Sequence, residues 1–113
     1  MGEIYVGDTG KTLRVNANFD MSSYTELSLI FSHPKGTNIT KTTANGVVLG
    51  TTSVSDPDIG TLDANEYVTY ELEAGFIDQA GPWRVYIKYE NTNTTPDDIF
   101  HGKSKTFQVR PVE

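Results

Sequence analysis

The clearest hydrophobic alternation in the chain runs from Trp83 to Glu90. Trp83, Val85, Ile87 and Tyr89 share one parity, and Arg84, Tyr86, Lys88 and Glu90 share the other. Successive side chains of a strand point to opposite faces, so the first set is assigned to the core and the second to water or a partner. Gly81-Pro82 marks where this strand begins. A second clean alternation covers Thr12 to Asp20, with Leu13, Val15, Ala17 and Phe19 on one side and Arg14, Asn16 and Asn18 on the other. It predicts a half-buried antiparallel strand. Thr25 to Phe31 follows as a strand with Leu27, Leu29 and Phe31 inward, and Ile30 breaks the alternation, which implies some cover on its outer face.

Weaker patterns fill the remaining chain. Glu3 to Val6 is a short strand candidate. Thr37 to Ala44 is polar and Thr-rich and reads as an edge strand. Asn45-Gly46 is the strongest hairpin signal in the chain and predicts Val47 to Ser55 as the return strand. Asp56 to Ala64 reads as a loop. Glu66 to Leu72 is a strand with Val68, Tyr70 and Leu72 inward, and Ala74 to Gln79 suits a single helical turn across the end of the fold. Asn91 to Asp98 has no apolar anchor and reads as an exposed loop. Ile99 to Arg110 is the last strand, with Phe107 and Val109 inward.

Seven or eight strands, with turn signals about every ten residues, predict an all-β fold, an immunoglobulin-like antiparallel β-sandwich. At 113 residues the chain is read as a single domain, 1–113. Its core is predicted to gather Leu13, Val15, Phe19, Leu27, Leu29, Phe31, Val68, Tyr70, Leu72, Trp83, Val85, Ile87, Phe107 and Val109.

Composition narrows the function classes. The net charge is −6 and the nine basic residues are scattered, which argues against a nucleic-acid partner. There is no cysteine, so neither a disulfide nor a thiol nucleophile is available. No apolar run reaches the roughly 18 residues of a membrane span. No basic-then-apolar leader follows Met1, and synthesis in a cytoplasm is expected.

Candidate chemistry is sparse. Gly10-Lys11-Thr12 matches the end of a phosphate-binding loop, but Tyr5 stands where that motif needs glycine, and a strand follows where it needs a helix. Asp56, Asp58 and Asp63, with Asp97 and Asp98, are the acidic clusters. They would meet around a hard cation only if their loops share one end of the sandwich, and a solvated acidic loop is the favoured reading. No metal or other cofactor is therefore assigned. His33 and His101 both lie beside turns and are expected to be exposed. No serine sits in a nucleophile context, and the chain is read as non-enzymatic. Tyr5, Tyr24, Tyr67 and Tyr86 fall outside the predicted core. Exposed tyrosine serves protein interfaces, sugar stacking or the covering of strand edges, with interface contact favoured. Arg84, Tyr86, Tyr67 and Tyr24 are the candidate interface residues.

The order of these features resembles a known family. The chain opens with IYVGDTGKTLRV and continues with ELSLIFSHPKGT. It then runs through LDANEYVTYELEAGFIDQAGPWRVYIKYE and closes with SKTFQVRP. This is similar to the small immunoglobulin-like domain at the N-terminus of tailed-phage baseplate upper proteins and of related tail and fibre-attachment proteins. Gly7-Asp8, Pro34-Lys35-Gly36 and Ala80-Gly81-Pro82-Trp83-Arg84-Val85 stand at the family's turn and core positions. The resemblance implies a virion structural protein, an adaptor or accessory subunit of a tail, baseplate or fibre assembly. Its implied partners are other virion proteins, met as a symmetric homo-oligomer within the particle. A capsid decoration protein and a carbohydrate- or host-receptor-binding module are the alternatives.

Overall fold

A computed structural model describes residues 3–112. Its elements are β1 (Ile4–Tyr5), β2 (Thr12–Asn16), β3 (Glu26–Ser32), β4 (Asn38–Thr42), a 3-10 turn (Thr43–Asn45), β5 (Val48–Leu49), β6 (Val54–Asp56), β7 (Gly60–Leu62), β8 (Tyr67–Glu71), β9 (Gly81–Asn91), β10 (Asp98–His101) and β11 (Lys105–Arg110). One sheet runs β1-β11-β9-β3-β4, with β10 also on β9. A second runs β2-β8-β5, and β6 and β7 form a hairpin of their own. All pairings are antiparallel except β1 on β11.

The two larger sheets form an all-β sandwich whose inner faces supply one core. β2 and β8 contribute Leu13, Val15, Val68 and Tyr70, and β3 and β9 contribute Leu27, Leu29, Phe31, Trp83, Val85 and Ile87. The period-two patterns thus place the core as expected, with Phe19 only partly buried at its margin. Ile4, Met21, Val47 and Ile77 join it from short or irregular segments. Trp83 is fully buried among His33, Phe76 and Phe107. Its indole N–H donates to the Gln79 carbonyl at 3.0 Å, so the buried polar atom is satisfied. β2 is shorter than its alternation, because Asn18 adopts φ 63° and turns the chain out of the strand.

Asn45-Gly46 does not make a hairpin. A two-residue hairpin of that type needs positive φ at both residues, and of the two only Gly46 has it, at 97°. Asn45 instead closes the 3-10 turn, its Oδ1 accepting from the Thr42 N–H and hydroxyl. Glu26 Oε1 holds the same turn through the Thr43 hydroxyl at 2.7 Å. The chain then crosses to the other sheet, where β5 pairs with β8 rather than with β4.

Asp56 to Ala64 is not a plain loop. It carries the last residue of β6 and all of β7, a hairpin that begins at Val54 and buries Asp56 and Leu62. Residues 74–76 form a hydrogen-bonded turn rather than a helix, closed by the Phe76 N–H on the Glu73 carbonyl. The last strand is split in two. β10 pairs Phe100 with Tyr89, while β11 pairs Lys105 with Val85. The register advances by one residue across Gly102–Ser104, as at a β-bulge. That extra residue flips the parity, so Phe100 and Phe107 both point toward the inner side.

Candidate functional site

The outer face of the six-stranded sheet carries the predicted contact residues on β9. Register places Thr106, Arg84, Ser32 and Asn38 in one row across β11, β9, β3 and β4. The next row holds Tyr86, Ile30 and Thr40, and the one after it His101, Lys88, Ser28 and Thr42. Arg84 is exposed and Tyr86 half-buried. The Tyr86 ring lies 5.8 Å from the His101 ring. Lys88 is tied to Glu90 at 3.2 Å, whereas Arg84 has no carboxylate partner among the described residues. Ile30 is half-buried in the middle of this face and Ser28 in the next row is buried, so the cover that the break in alternation implied is only partial. The face therefore offers a mixed apolar and basic surface with one unpaired guanidinium.

Tyr24 is exposed in the β2–β3 connection, next to Thr25, whose N–H donates to the Glu90 carbonyl at 2.8 Å. That puts it near the C-terminal end of β9, the strand that bears Arg84 and Tyr86. Tyr67 is different, and its assignment to a surface contact is overturned. Its parity on β8 does point away from the main core, but the residue is 3 % exposed. Segment 50–62 folds back over that side of the smaller sheet. Gly50 lies flat on the Tyr67 ring, and the hydroxyl donates to the Thr52 carbonyl at 2.7 Å. No hydrophobic pattern announced this cover, because the covering segment is polar and rich in Gly, Ser and Thr.

The acidic candidates are used locally. Asp56 is buried, with Oδ1 accepting from the Asp58 and Ile59 N–H groups and Oδ2 paired to Arg14 at 3.1 Å. Burial alone would push its carboxyl up. The backbone donors and the Arg14 guanidinium outweigh that, and the carboxyl stays below the usual range. Among the described residues, no three His, Asp or Glu side chains are grouped to hold a metal ion. Lys105 faces inward beside this hairpin, and desolvation lowers its ammonium pKa.

Of the two histidines, His101 is exposed as expected, but His33 is not. Its side chain is only 10 % exposed and its ring lies 4.7 Å from Trp83. Its Nδ1 accepts the Lys35 N–H, so Nε2 carries the proton toward Asp78, 2.8 Å away. No hydroxyl among the described residues is hydrogen-bonded to either ring. The Gly10 N–H donates to the Leu72 carbonyl, and Gly10 leads into β2, so that glycine serves a turn. A recess of about 680 Å³ lies between Tyr5, Asp8, Arg110, Pro111 and Val112, away from the Arg84–Tyr86 rows. Comparison with models of known protein families finds no match, and no curated protein matches the chain either.

Proposed function

We propose that this chain is a non-enzymatic structural subunit of a tailed-phage virion. It acts as an adaptor or accessory part of the tail, baseplate or fibre assembly. Docking uses the outer face of the six-stranded sheet. The observation that carries the reading is that face itself: no layer covers it among the described residues, Tyr86 and Ile30 give it an apolar centre, and Arg84 gives it a cation free to pair with a neighbour. Tyrosine and arginine in that setting are the residue types that dominate protein contacts. The strand order supports the family resemblance. In it β9 lies between β3 and β11, with β4 beside β3, and that sheet packs on β2-β8-β5, an order compatible with the immunoglobulin-like sandwich that the resemblance implies.

Docking through this face makes a specific demand. Tyr86→Ala removes contact area without touching the core, so assembly weakens while the melting temperature stays within about 2 °C of wild type. Incorporation of wild-type and variant protein into purified particles, read by quantitative blotting, checks it. Unchanged incorporation sinks the docking face. Immunogold labelling tests the virion reading separately. Label at the tail tip or neck supports it, label spread over the head points to a decoration subunit, and no label on opened particles rejects it.

A further inference from the structure

Three strands of the six-stranded sheet, β1, β4 and β10, are paired on one side only among the described residues, and the longer two, β4 and β10, differ in kind. β4 is polar, reading Asn38-Ile39-Thr40-Lys41-Thr42. β10 presents Ile99 and Phe100, 48 % and 50 % exposed, and no strand among the described residues pairs with its outer side. Natural edge strands are usually protected by charge, proline or a covering segment. Here Phe100 is held in place, stacked on Tyr89 and edge-on to Phe19. Its backbone faces β9, as the Gly102 N–H on the Ile87 carbonyl fixes for the alternate residues of this segment. The N–H and C=O groups of Ile99 and His101 therefore point outward.

We infer that β10 is the seam of a symmetric dimer, formed by antiparallel pairing with β10 of a second copy about a twofold axis at Phe100. An axis perpendicular to the sheet keeps matching faces together, so the register must place a residue opposite itself. With Phe100 on the axis, Ile99 lies opposite His101 of the second copy, and their outward backbone groups exchange hydrogen bonds twice over. Just beyond the two ends of this paired strand stand Asp97 and Lys103, so the same axis brings Asp97 beside the bulge that carries Lys103 of the second copy, also twice. Both side chains are exposed, and neither has an ion-pair partner among the described residues. Charge complementarity thus selects a second copy of this chain as the occupant. The pairing extends the sheet in its own plane, leaving both Tyr86 faces uncovered on one side of the dimer. Its backbone hydrogen bonds lie in the sheet plane, at the rim of the docking face where His101 stands, and it stands independently of the virion reading.

Sedimentation equilibrium on the purified full chain tests this. The expected result is a monomer–dimer equilibrium. Asp97→Lys and Lys103→Asp should each raise the dissociation constant about tenfold, because each reversal puts like charges together at two symmetric places. The double reversal, or an equimolar mixture of the two single variants, should restore dimerisation. Melting curves taken on dilute samples establish that every variant is folded. A chain that stays monomeric up to about 1 mM, a Kd that corresponds to only about 4 kcal/mol of association, overturns the inference. So does a dimer whose dissociation constant ignores both reversals.

Discussion

Two residues on the smaller sheet show how single side chains hold a polar segment in place. Gly50 is indispensable for contact rather than for backbone freedom. A Cβ there would lie 2.1 Å from the Tyr67 ring, which its hydroxyl bond to Thr52 prevents from swinging aside. Gly50→Ala is expected to cost about 1–3 kcal/mol by overpacking, seen as a lowered urea midpoint with an unchanged slope. Asp56 pins the same segment electrostatically. Its carboxyl pKa is depressed on folding, so its contribution is present above the ordinary aspartate range and is lost as pH falls through the folded value. Stability should decline below about pH 4. Asp56→Asn keeps the acceptor for the turn but loses the charge facing Arg14. It should cost about 1–3 kcal/mol at pH 7 and flatten the acid decline, measured by urea unfolding at pH 7 and at about pH 3. An acid limb as steep as wild type would place the acid sensitivity elsewhere.

At the scale of elements, β9 is the strand from which the larger sheet is built. It pairs with β3 along one side and with β11 and then β10 along the other. Its buried parity puts Trp83, Val85 and Ile87 into the core with no exposure. Trp83→Ala opens a cavity among three other aromatic rings and is expected to destabilise by about 3–5 kcal/mol. That is a large share of the roughly 5–15 kcal/mol available to a small domain. A variant that melts with the wild type would remove Trp83 from the core. The bulge between β10 and β11 has a different consequence. By shifting register by one residue it turns Phe100 to the same inner side as Phe107 and Val109 and leaves Ile99 on the outer side of an open edge.

On the scale of the whole molecule, the two sheets have unequal exteriors. The smaller sheet is overlaid by segment 50–62, which buries Tyr67 and Leu62 apart from the main core. The larger sheet has no such overlay among the described residues. A sandwich covered on one side and bare on the other has a preferred contact side, and that asymmetry underlies the proposed docking through Tyr86 and Arg84. Contacts at the bare face and at the β10 edge do not compete, because one lies out of the sheet plane and the other within it. A dimer joined at β10 would present two docking faces at once, and linked contacts of that kind bind far more tightly than single ones.

What the sequence determined by itself was the part encoded by period. Alternation of apolar and polar residues fixed the class, the core strands and the face on which Arg84 and Tyr86 stand, because the geometry of a strand leaves side chains only two directions. It did not determine which strand lies beside which. Asn45-Gly46 reads as a hairpin locally, yet Glu26 and Asn45 capture the turn and send the chain to the other sheet. Tyr67 reads as a surface residue by parity, yet a polar segment without any pattern of its own lies over it. Asp56 reads as a solvated loop acid, yet Arg14, distant in sequence, makes its burial tolerable. His33 reads as exposed beside its turn, yet Trp83 and Asp78 enclose it. Each of these was decided by a partner far along the chain, and such partners are chosen only when the tertiary structure forms.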